Sequence, residues 1–380
     1  MNRQIQISLP STGDDEWQAT REPLTTGWLT QGPKVAQFEK NFGDLHRVKH
    51  SLATTSCTTA LHLILAAMGI GPGDEVIVPS FTWIATANVV LYCGATPVLV
   101  DVDRQTYNID PVDVARKLSP RTKAVIAVHL FGLCADMDAL KAVLPAGVPI
   151  IEDAACAAGA SYKGANAGGL GLAAAFSFHP RKSITTGEGG MVTTNDDRLA
   201  QVADMLRNHG ASISEEQRHK GPRPYLLAEF NLLGFNYRMT DLQGAVGIVQ
   251  LAKLTRFVAE RDEWAAWYAR ELASVAWLRM PQRPVHGRHA WQAFVTYVDP
   301  ATAPMTRNEI MEQLQRQGIS TRPGTHAIHL LRYYRDRLGV KADDLPGARD
   351  CDAQTMAIPL HNRMVADDYR YVVEAIKGIG

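Results

Sequence analysis

The sequence predicts an α/β protein with a large domain built on a mostly parallel sheet, followed by a smaller α+β domain. In the first half, short runs rich in valine and isoleucine alternate with segments of helical periodicity. Strands that alternate with helices are typical of a parallel sheet covered on both faces. After residue 240 the pattern changes to one long helical segment, and a further strand and two helices follow. We therefore place a large domain with its N-terminal segment at residues 1–255 and a small C-terminal domain at 256–380.

The individual elements follow from local composition and periodicity. The predicted strands of the large domain are 74–80, 95–102, 122–132, 148–154, 173–178 and 190–194, and its predicted helices are 58–69, 83–94 and 135–144. The long helix begins near Thr240 or Asp241, either of which is a suitable N-cap. The small domain has a predicted strand at 291–298 and predicted helices at 307–318 and 367–378.

Composition excludes several classes of protein. The formal net charge is zero, so bulk charge indicates neither a nucleic-acid partner nor a membrane surface. The first residues lack the apolar stretch of a secretory signal, and no apolar run reaches membrane-spanning length. The five cysteines are odd in number, widely spaced and without a CxxC pair. They indicate reduced thiols in a cytoplasmic protein rather than disulfides or a zinc site.

Several polar groups fall where a predicted strand ends or a predicted helix begins. Asp153 ends the strand PIIED, and Ser177 and Lys182 belong to the strand-and-turn segment SFHPRKSITTGEGG. Thr58 opens a helix, where free backbone N–H groups favour an anion. Ligands bind at the carboxyl ends of the strands in open α/β sheets, so we expect these groups to form one site. Taken singly, each has an ordinary alternative, since most lysines are surface charges and Asp153 or Thr58 could simply cap a helix.

A lysine, a carboxylate and an anion cradle together indicate pyridoxal phosphate as the cofactor. This cofactor needs a lysine for a Schiff base, a carboxylate at its ring nitrogen and a phosphate site. Charge pairing with Asp153 would keep the ring nitrogen protonated, and the protonated ring withdraws electrons from the carbanion formed when a Cα proton leaves. Lys182 would carry that proton. A neighbouring positive ring would keep the lysine partly neutral, as a base must be.

Four longer motifs make the sequence resemble a known family. They are VPSFTWIATANVV, IEDAA, SFHPRKSITTGEGG and GFNYRMTDLQGA, in an order that chance would rarely produce. Nearly the whole chain, from GWLTQGPKVAQFEKNF to IPLHNRM, is similar to the DegT/DnrJ/EryC1/StrS family of sugar aminotransferases. The resemblance implies the architecture of fold-type-I pyridoxal-phosphate-dependent transferases and the activity of a transaminase.

The resemblance also implies roles for individual residues. Lys182 corresponds to the Schiff-base lysine and Asp153 to the carboxylate at the ring nitrogen, and these two are the expected catalytic residues. The other implied contacts are Cys57, Thr58 and Ser177 at the phosphate, Trp83 stacked on the ring, Cys156 near the ring hydroxyl, Asn236 at the phosphate of the partner subunit's cofactor, and His329 and Arg238 at the substrate. Two positions depart from the family pattern, which often has glycine where Cys57 stands and glutamine or histidine where Cys156 stands.

The implied function is amino sugar biosynthesis, in the making of a polysaccharide or an antibiotic. A homodimer with shared active sites would move an amino group from L-glutamate to a nucleotide-linked keto sugar, by way of the pyridoxamine form of the cofactor. The alternative acceptor is a ketocyclitol. Sugar dehydration is disfavoured because family members with that activity have histidine in place of the lysine. A non-catalytic regulatory protein that binds the cofactor is a further alternative, against which the retained Lys182 and Asp153 argue.

One pair of histidines has a spacing found in some metal sites. His326 and His329 have the spacing HxxH within an apparent loop. A zinc site needs three or four ligands, and no third ligand is evident in the sequence. We therefore expect no metal.

Overall fold

A seven-stranded sheet lies at the centre of the larger part of the molecule. The computed structural model describes residues 3–212, 225 and 227–379. The strands of this sheet are β1 (His50–Thr54), β2 (Glu75–Pro79), β4 (Thr96–Val100), β5 (Thr122–Val128), β6 (Ile150–Asp153), β9 (Ala173–Ser177) and β10 (Gly190–Thr194). They stand in the order β1-β10-β9-β6-β5-β2-β4, and β10 alone runs against the others. The prediction of a mostly parallel sheet is confirmed.

Helices cover both faces of this sheet, as predicted. Side chains alternate between the two faces along a strand, and those of β2 are buried on both sides. Val76 and Val78 belong to one hydrophobic cluster and Ile77 to a second. The helices up to the long one are α1 (Asp14–Ala19), α2 (Arg21–Thr26), α3 (Pro33–His46), α4 (Cys57–Ala67), α5 (Ala85–Tyr92), α6 (Pro111–Lys117), α7 (Met137–Val143) and α8 (Asp197–Arg207).

The long helix α9 (Asp241–Glu271) begins where the sequence predicts. Thr240 is its N-cap, and its hydroxyl accepts from the N–H of Gln243 at 3.3 Å. The side chain of Gln243 reaches back to the N–H of Thr240 at 3.0 Å, which completes a capping box. This helix crosses residue 255, so the boundary between the two domains stays a prediction.

A second, antiparallel sheet organises the carboxyl-terminal part. Its strands are β11 (Leu278–Arg279), β13 (Phe294–Val298), β14 (Arg322–Pro323) and β16 (Thr355–Ile358), in the order β11-β13-β16-β14. The surrounding helices are α10 (Arg307–Arg316), α11 (Arg332–Leu338), α12 (Pro346–Gln354) and α13 (Ala366–Lys377). A third hydrophobic cluster fills this part and includes Ile5, which pairs with Ile319. The amino-terminal segment therefore packs on the small sheet.

Short strands pair segments of the large-sheet part with segments of the carboxyl-terminal part. They are β3 (Phe81–Thr82), β7 (Ser161–Tyr162), β8 (Ala165–Asn166), β12 (Gly287–Arg288) and β15 (His326–Ala327). β12 joins the hairpin of β7 and β8, and β15 pairs with β3 directly after β2. The segment from β14 to β15 thus runs from the small sheet to the edge of the large one. Within the described ranges, no helix has the length and apolarity that a membrane crossing requires.

Candidate active site

The lysine-bearing loop after β9 is held by backbone hydrogen bonds. Phe178 donates to the carbonyl of Gly189 at 2.9 Å, and Thr186 donates to the carbonyl of Phe178 at 3.0 Å. Lys182 itself donates its backbone N–H to His179 at 2.9 Å, and Gly187 turns the chain with a φ of 85°. The strand followed by a tight, irregular loop is as predicted. This loop directs Lys182 toward the carboxyl end of the neighbouring strand β6.

The Lys182 ammonium contacts a thiol. Its Nζ lies 3.2 Å from Sγ of Cys156, which follows β6 by three residues. Burial by itself lowers the pKa of Lys182, but the contact with Cys156 and the charge of Asp153 outweigh burial and raise the pKa above its usual value. In the protein chain itself the lysine is therefore held in its charged form.

Asp153 is a buried carboxylate with only neutral hydrogen-bond donors in contact with it. Its Oδ2 accepts from the hydroxyl of Thr86 at 2.9 Å, and its Oδ1 accepts from the N–H of Ala155 at 3.2 Å. Among the described residues it forms no ion pair within salt-bridge distance. Burial raises the pKa of Asp153, and its hydrogen bonds and the more distant charge of Lys182 do not fully offset this effect. The charge of this carboxylate is therefore incompletely compensated.

The start of α4 lies against the same carboxylate. Cys57 is the first residue of the helix, and its Sγ lies 4.0 Å from Oδ1 of Asp153 and 3.5 Å from the carbonyl oxygen of Ala175. Burial raises the pKa of the Cys57 thiol well above its ordinary range, so the thiol is neutral. The N-cap, Ser56, accepts from Thr59 at 3.1 Å. The N–H groups of Cys57 and Thr58 precede the first helical hydrogen bonds and can receive an anion.

A glycine lets the strand β10 approach this helix start. A Cβ on Gly190 would lie 2.3 Å from the carbonyl carbon of Ser56 and 2.6 Å from the nitrogen of Cys57. Any side chain at this position would push the start of α4 away from the sheet. Ser177 pairs with Gly190 in the ladder between β9 and β10, so its hydroxyl lies at the same edge. The structure thus brings the start of α4 and Ser177 together at this edge.

Trp83 and His326 form the outer wall of the site. Trp83 stands between β3 and α5 with 60% of its surface exposed, an unusual exposure for tryptophan. Its ring lies 5.8 Å from that of His326, which is exposed at the start of β15. An accessible indole face can stack on a flat ligand ring.

The structure does not bring His329 to this wall. His329 is fully buried, its Nδ1 lies 2.7 Å from the hydroxyl of Ser80 and its Nε2 lies 3.3 Å from the carbonyl of Ala342. Both ring nitrogens are thus occupied within the fold. No cluster of three or more histidine, cysteine or acidic side chains suited to a metal occurs among the described residues.

Asn236 and Arg238 lie on a separate segment. Asn236 is exposed, and its backbone forms a bridge with that of Asn208. Arg238 donates to the side-chain oxygen of Asn208 at 2.7 Å, while its buried Nε has no partner among the described residues. Neither side chain contacts Lys182 or Asp153. The backbone of this segment lies beside the start of α4, where Thr55 donates to the carbonyl of Tyr237 at 3.1 Å.

Sequence reasoning missed two residues of this site. Thr86 is the second residue of α5, and its hydroxyl reaches Asp153 only because folding brings α5 to the end of β6. Burial, and then the charge of Arg181 in the lysine-bearing loop, lower the pKa of the half-buried Arg322 on β14. No local pattern marks Arg322, because only the folding of the small sheet against the large one places it there.

The residues present fit pyridoxal phosphate. Asp153 offers a buried, under-compensated carboxylate that a protonated ring nitrogen would neutralise. The start of α4 and Ser177 offer N–H and hydroxyl donors for a phosphate, and Lys182 offers an amine between them. Cys156, for which the resemblance implies a contact with the ring hydroxyl, is a weak donor and lies 3.2 Å from Nζ of the lysine. The donor set therefore matches each polar part of the cofactor.

Comparison with known proteins agrees with this chemistry. The sequence profile of the DegT/DnrJ/EryC1/StrS aminotransferase family matches residues 10–377. The spore coat polysaccharide biosynthesis protein SpsC of Bacillus subtilis (strain 168) is 41% identical over 380 residues, covering 100% of this chain and 97% of that protein. The GDP-perosamine synthase of Caulobacter vibrioides is 40% identical over 375 residues, covering 98% of this chain and 97% of that protein.

Solved structures show the same fold. Spr1654 of Streptococcus pneumoniae, solved in PMP and PLP forms, superposes with TM-scores of 0.92 and 0.91 at 26% identity. Each superposition covers 99% of this chain and 98% of the other. The cofactor of the protein described here is accordingly pyridoxal phosphate, and its fold is that of fold-type-I transferases. The chain belongs to the DegT/DnrJ/EryC1/StrS family and is a pyridoxal-phosphate-dependent aminotransferase.

Proposed function

We propose that the enzyme transfers the amino group of L-glutamate to a keto sugar carried on a nucleotide. The observation that carries the proposal is the placement of Lys182 and Cys156 beside the buried Asp153, at the carboxyl ends of neighbouring strands. A relative matching nearly the whole chain is named a GDP-perosamine synthase, which supports a nucleotide-linked sugar as acceptor. The donor rests on the family resemblance.

Asp153 would hold a proton on the ring nitrogen of the cofactor. When bound, pyridoxal phosphate supplies an electron sink for the carbon that carries the amine. Asp153 would supply the negative charge that keeps the ring nitrogen protonated. Thr86 fixes the orientation of the Asp153 carboxylate through the 2.9 Å hydrogen bond. Burial excludes water from the pair and strengthens it. The N–H groups of Cys57 and Thr58, with the Ser177 hydroxyl, would bind the phosphate, and Trp83 would stack on the ring.

Lys182 would move the proton between substrate carbon and cofactor. A base must be neutral to accept a proton, and the contact with Cys156 raises the pKa of Lys182 and favours the charged form. The contact with Cys156 would therefore favour a proton on Nζ before that proton passes to the substrate. A positive charge on the nearby ring acts in the opposite direction and lowers the pKa of the lysine.

Two subunits would share each site. The segment before Asn236 exposes large apolar side chains, among them Leu227 at 81% and Leu233 at 93% of their surface. Such a patch on a soluble protein usually marks an interface. A two-fold axis would carry Asn236 of one subunit to the phosphate bound by the other and produce two equivalent sites.

Mixed dimers test the shared site. Lys182→Ala subunits refolded with Asn236→Ala subunits should recover about a quarter of the intact sites, because one site of each mixed dimer carries both lesions and the other carries neither. The assay needs limiting pyridoxal phosphate, since losing one hydrogen bond to a phosphate costs about 1.5–3 kcal/mol. Absence of recovery, with heterodimers verified by native mass spectrometry, would place both residues in one subunit.

A panel of acceptors tests the reaction. The enzyme is first converted to its amino form with L-glutamate, and this conversion is monitored by the change in cofactor absorbance. It is then mixed with keto-sugar nucleotides, a ketocyclitol and free keto acids, and the aminated products are measured by mass spectrometry. Efficient amination of a sugar nucleotide is expected. Amination of the ketocyclitol alone would establish the alternative acceptor, and a protein inert toward every amino donor would contradict the proposed function.

A further inference from the structure

The residues on either side of Lys182 are held by side chains from outside the lysine-bearing loop. Nε2 of Gln292 donates to the carbonyl of Arg181 at 2.8 Å, and Nη1 of Arg261 donates to the hydroxyl of Ser183 at 3.3 Å. Gln292 lies two residues before β13 of the small sheet, and Arg261 lies in the long helix α9. Two segments that are distant from the loop in the chain thus hold the stretch that carries the lysine.

Arg261 is a buried charge without an acidic partner. Among the described residues it forms no ion pair within salt-bridge distance, and its Nε donates to the neutral side-chain oxygen of Asn362 at 2.8 Å. Burial lowers the pKa of Arg261 to about 10, so the guanidinium is still charged at neutral pH. A buried charge whose hydrogen-bond acceptors are all neutral is unfavourable for the stability of a fold. Its contact with Ser183 therefore indicates a role other than stability.

Gln292 reaches the loop from a strained crossing of two segments. Trp291, directly before it, is buried and has a φ of 48°, and Phe131 has a φ of 58°. The backbone N–H of Gln292 donates to the carbonyl of Phe131 at 3.0 Å. A left-handed backbone is unfavourable for bulky aromatic residues, and strain of this kind is concentrated at functional sites. Here the strained backbone lies directly beside the lysine-bearing loop.

We propose that Gln292 and Arg261 are positioning residues for Lys182 in proton transfer. The inference rests on the proposed function only in taking Lys182 as the group that moves the proton. Proton transfer requires the two heavy atoms to lie within hydrogen-bond reach, so a small displacement of Nζ slows it strongly. The lysine side chain is a flexible four-carbon chain, so the region that Nζ can reach depends on how firmly its backbone is held. Contacts at residues 181 and 183 limit that freedom.

Matched variants separate positioning from stability. Gln292→Met removes the N–H donor at nearly unchanged size, whereas Gln292→His keeps an N–H donor. Thr296→Val is the control, because Thr296 is a fully buried residue of β13 whose hydroxyl donates to the carbonyl of Met356 at 2.8 Å. Thr296→Val therefore also removes one hydrogen bond to a backbone carbonyl, but a bond that does not involve the lysine-bearing loop.

The first half-reaction with L-glutamate should distinguish these variants. Rapid-mixing absorbance should show that Gln292→Met lowers the limiting rate by about 10- to 100-fold and leaves the apparent dissociation constant for L-glutamate unchanged. With L-glutamate deuterated at Cα, the isotope effect on the limiting rate should increase, because proton transfer then limits the rate more fully. Gln292→His should recover much of the rate, and Thr296→Val should match wild type in rate and isotope effect.

Hydrogen exchange provides a readout that needs neither turnover nor cofactor. In the cofactor-free full-length protein, the amides of residues 178–187 should exchange about 10-fold faster in Gln292→Met than in wild type, and Thr296→Val should leave them unchanged. Arg261→Met, which removes the contact with Ser183, should loosen the same amides. If Arg261→Met does not fold, Gln292→Met decides.

Two results would overturn the positioning role. Unchanged amide exchange and an unchanged isotope effect in Gln292→Met would refute it directly. Equal changes in Gln292→Met and Thr296→Val would show that Gln292 serves only the stability of the small sheet. The proposed function fails separately: if Lys182→Ala still transaminates, Lys182 does not move the proton, whereas faster amide exchange in Gln292→Met would still show that Gln292 holds the loop.

Discussion

Two neighbouring carboxylates at the end of β6 have opposite environments. Glu152 and Asp153 are both buried, and they point to opposite faces of the sheet because side chains alternate along a strand. Glu152 accepts four hydrogen bonds of 2.7–2.9 Å, from Nε2 of His129 and the backbone N–H groups of Gly168, Leu170 and Gly171. Burial raises the pKa of Glu152, but these bonds outweigh burial and lower it.

The same strand leaves Asp153 with a raised pKa. Asp153 accepts hydrogen bonds from Thr86 and Ala155 and a long contact of 4.0 Å from the Cys57 thiol, and burial prevails over these neutral donors. On the Glu152 side, Nδ1 of His129 accepts from the N–H of Ala135 at 3.1 Å, so its proton resides on Nε2 and faces the carboxylate. A fully satisfied carboxylate stabilises the fold, whereas an incompletely satisfied one is prepared for a ligand that brings the missing positive charge.

The largest expected effect comes from Asp153→Asn. The substitution should impair catalysis in the enzyme with bound cofactor and should stabilise the cofactor-free protein. The amide cannot hold a proton on the ring nitrogen by charge, so the first half-reaction should slow by about 10²–10³-fold. The cofactor-free protein should instead become more stable at neutral pH. The pKa of Asp153 is raised on folding, so its contribution to stability is present at low pH and is lost as pH rises through the folded-state pKa.

Two measurements check this reversal. Denaturant unfolding of cofactor-free Asp153→Asn should show a higher free energy of unfolding than wild type at pH 7 and convergence with it in acid. Rapid-mixing absorbance with L-glutamate reports the half-reaction. Wild-type rates in a folded Asp153→Asn enzyme would contradict the pairing with the cofactor, and a large loss of stability in the cofactor-free protein would show that Asp153 is structural.

Glu152→Gln should have the complementary outcome. The amide keeps one acceptor but turns an NH₂ group toward backbone donors, so unfolding should become easier by about 2–4 kcal/mol. The pKa of Glu152 is lowered on folding, so its stabilisation is present above the ordinary pKa of about 4.3 and is lost as pH falls through the folded-state pKa. Chemical denaturation from pH 7 to pH 3 should therefore show wild type losing its advantage in acid. If the Glu152→Gln protein were as stable as wild type but slow in transamination, Glu152 would serve catalysis and not the stability of the fold.

A smaller effect is expected at Cys156, which acts on Lys182. Removing the thiol in Cys156→Ala removes the largest favourable contribution to the charged ammonium, so the pKa of Lys182 should fall. A larger share of the lysine is then neutral at a given pH. The rate at which cofactor-free enzyme takes up pyridoxal phosphate should rise at neutral pH, and its pH profile should shift to lower pH. Cys351→Ala, at a buried cysteine in α12, is the control. An unshifted profile would show that Cys156 does not set the charge of the lysine.

Features set by local sequence could be predicted, whereas contacts between segments that are distant in the chain could not. The strands rich in valine and isoleucine were predictable, and so was the nearness of Asp153 to Lys182, because β6 and β9 are parallel neighbours. The strand β1, with the sequence HSLAT, has no β-branched run and was missed. Thr86 and Arg322 depend on packing between distant segments, which no local periodicity encodes. The implied role of His329 stays a prediction, while the structure places His326 beside Trp83.

The smallest expected effect concerns this histidine pair, which repeats the contrast at β15 and the short helical turn that follows it. His326 is exposed at the wall of the site, whereas His329 three residues later is buried between Ser80 and Ala342. His326→Ala should raise the KM for the nucleotide-linked acceptor by about 2- to 10-fold, the range of one aromatic contact, and should leave the thermal midpoint unchanged. His329→Ala should instead lower the free energy of unfolding by about 1–3 kcal/mol, because it removes buried hydrogen bonds. Acceptor titrations of the amino form and thermal unfolding of both variants make the comparison. The opposite result would be a stably folded His329→Ala enzyme with a raised acceptor KM and no effect of His326→Ala. In that case the buried His329, and not the exposed His326, influences acceptor binding.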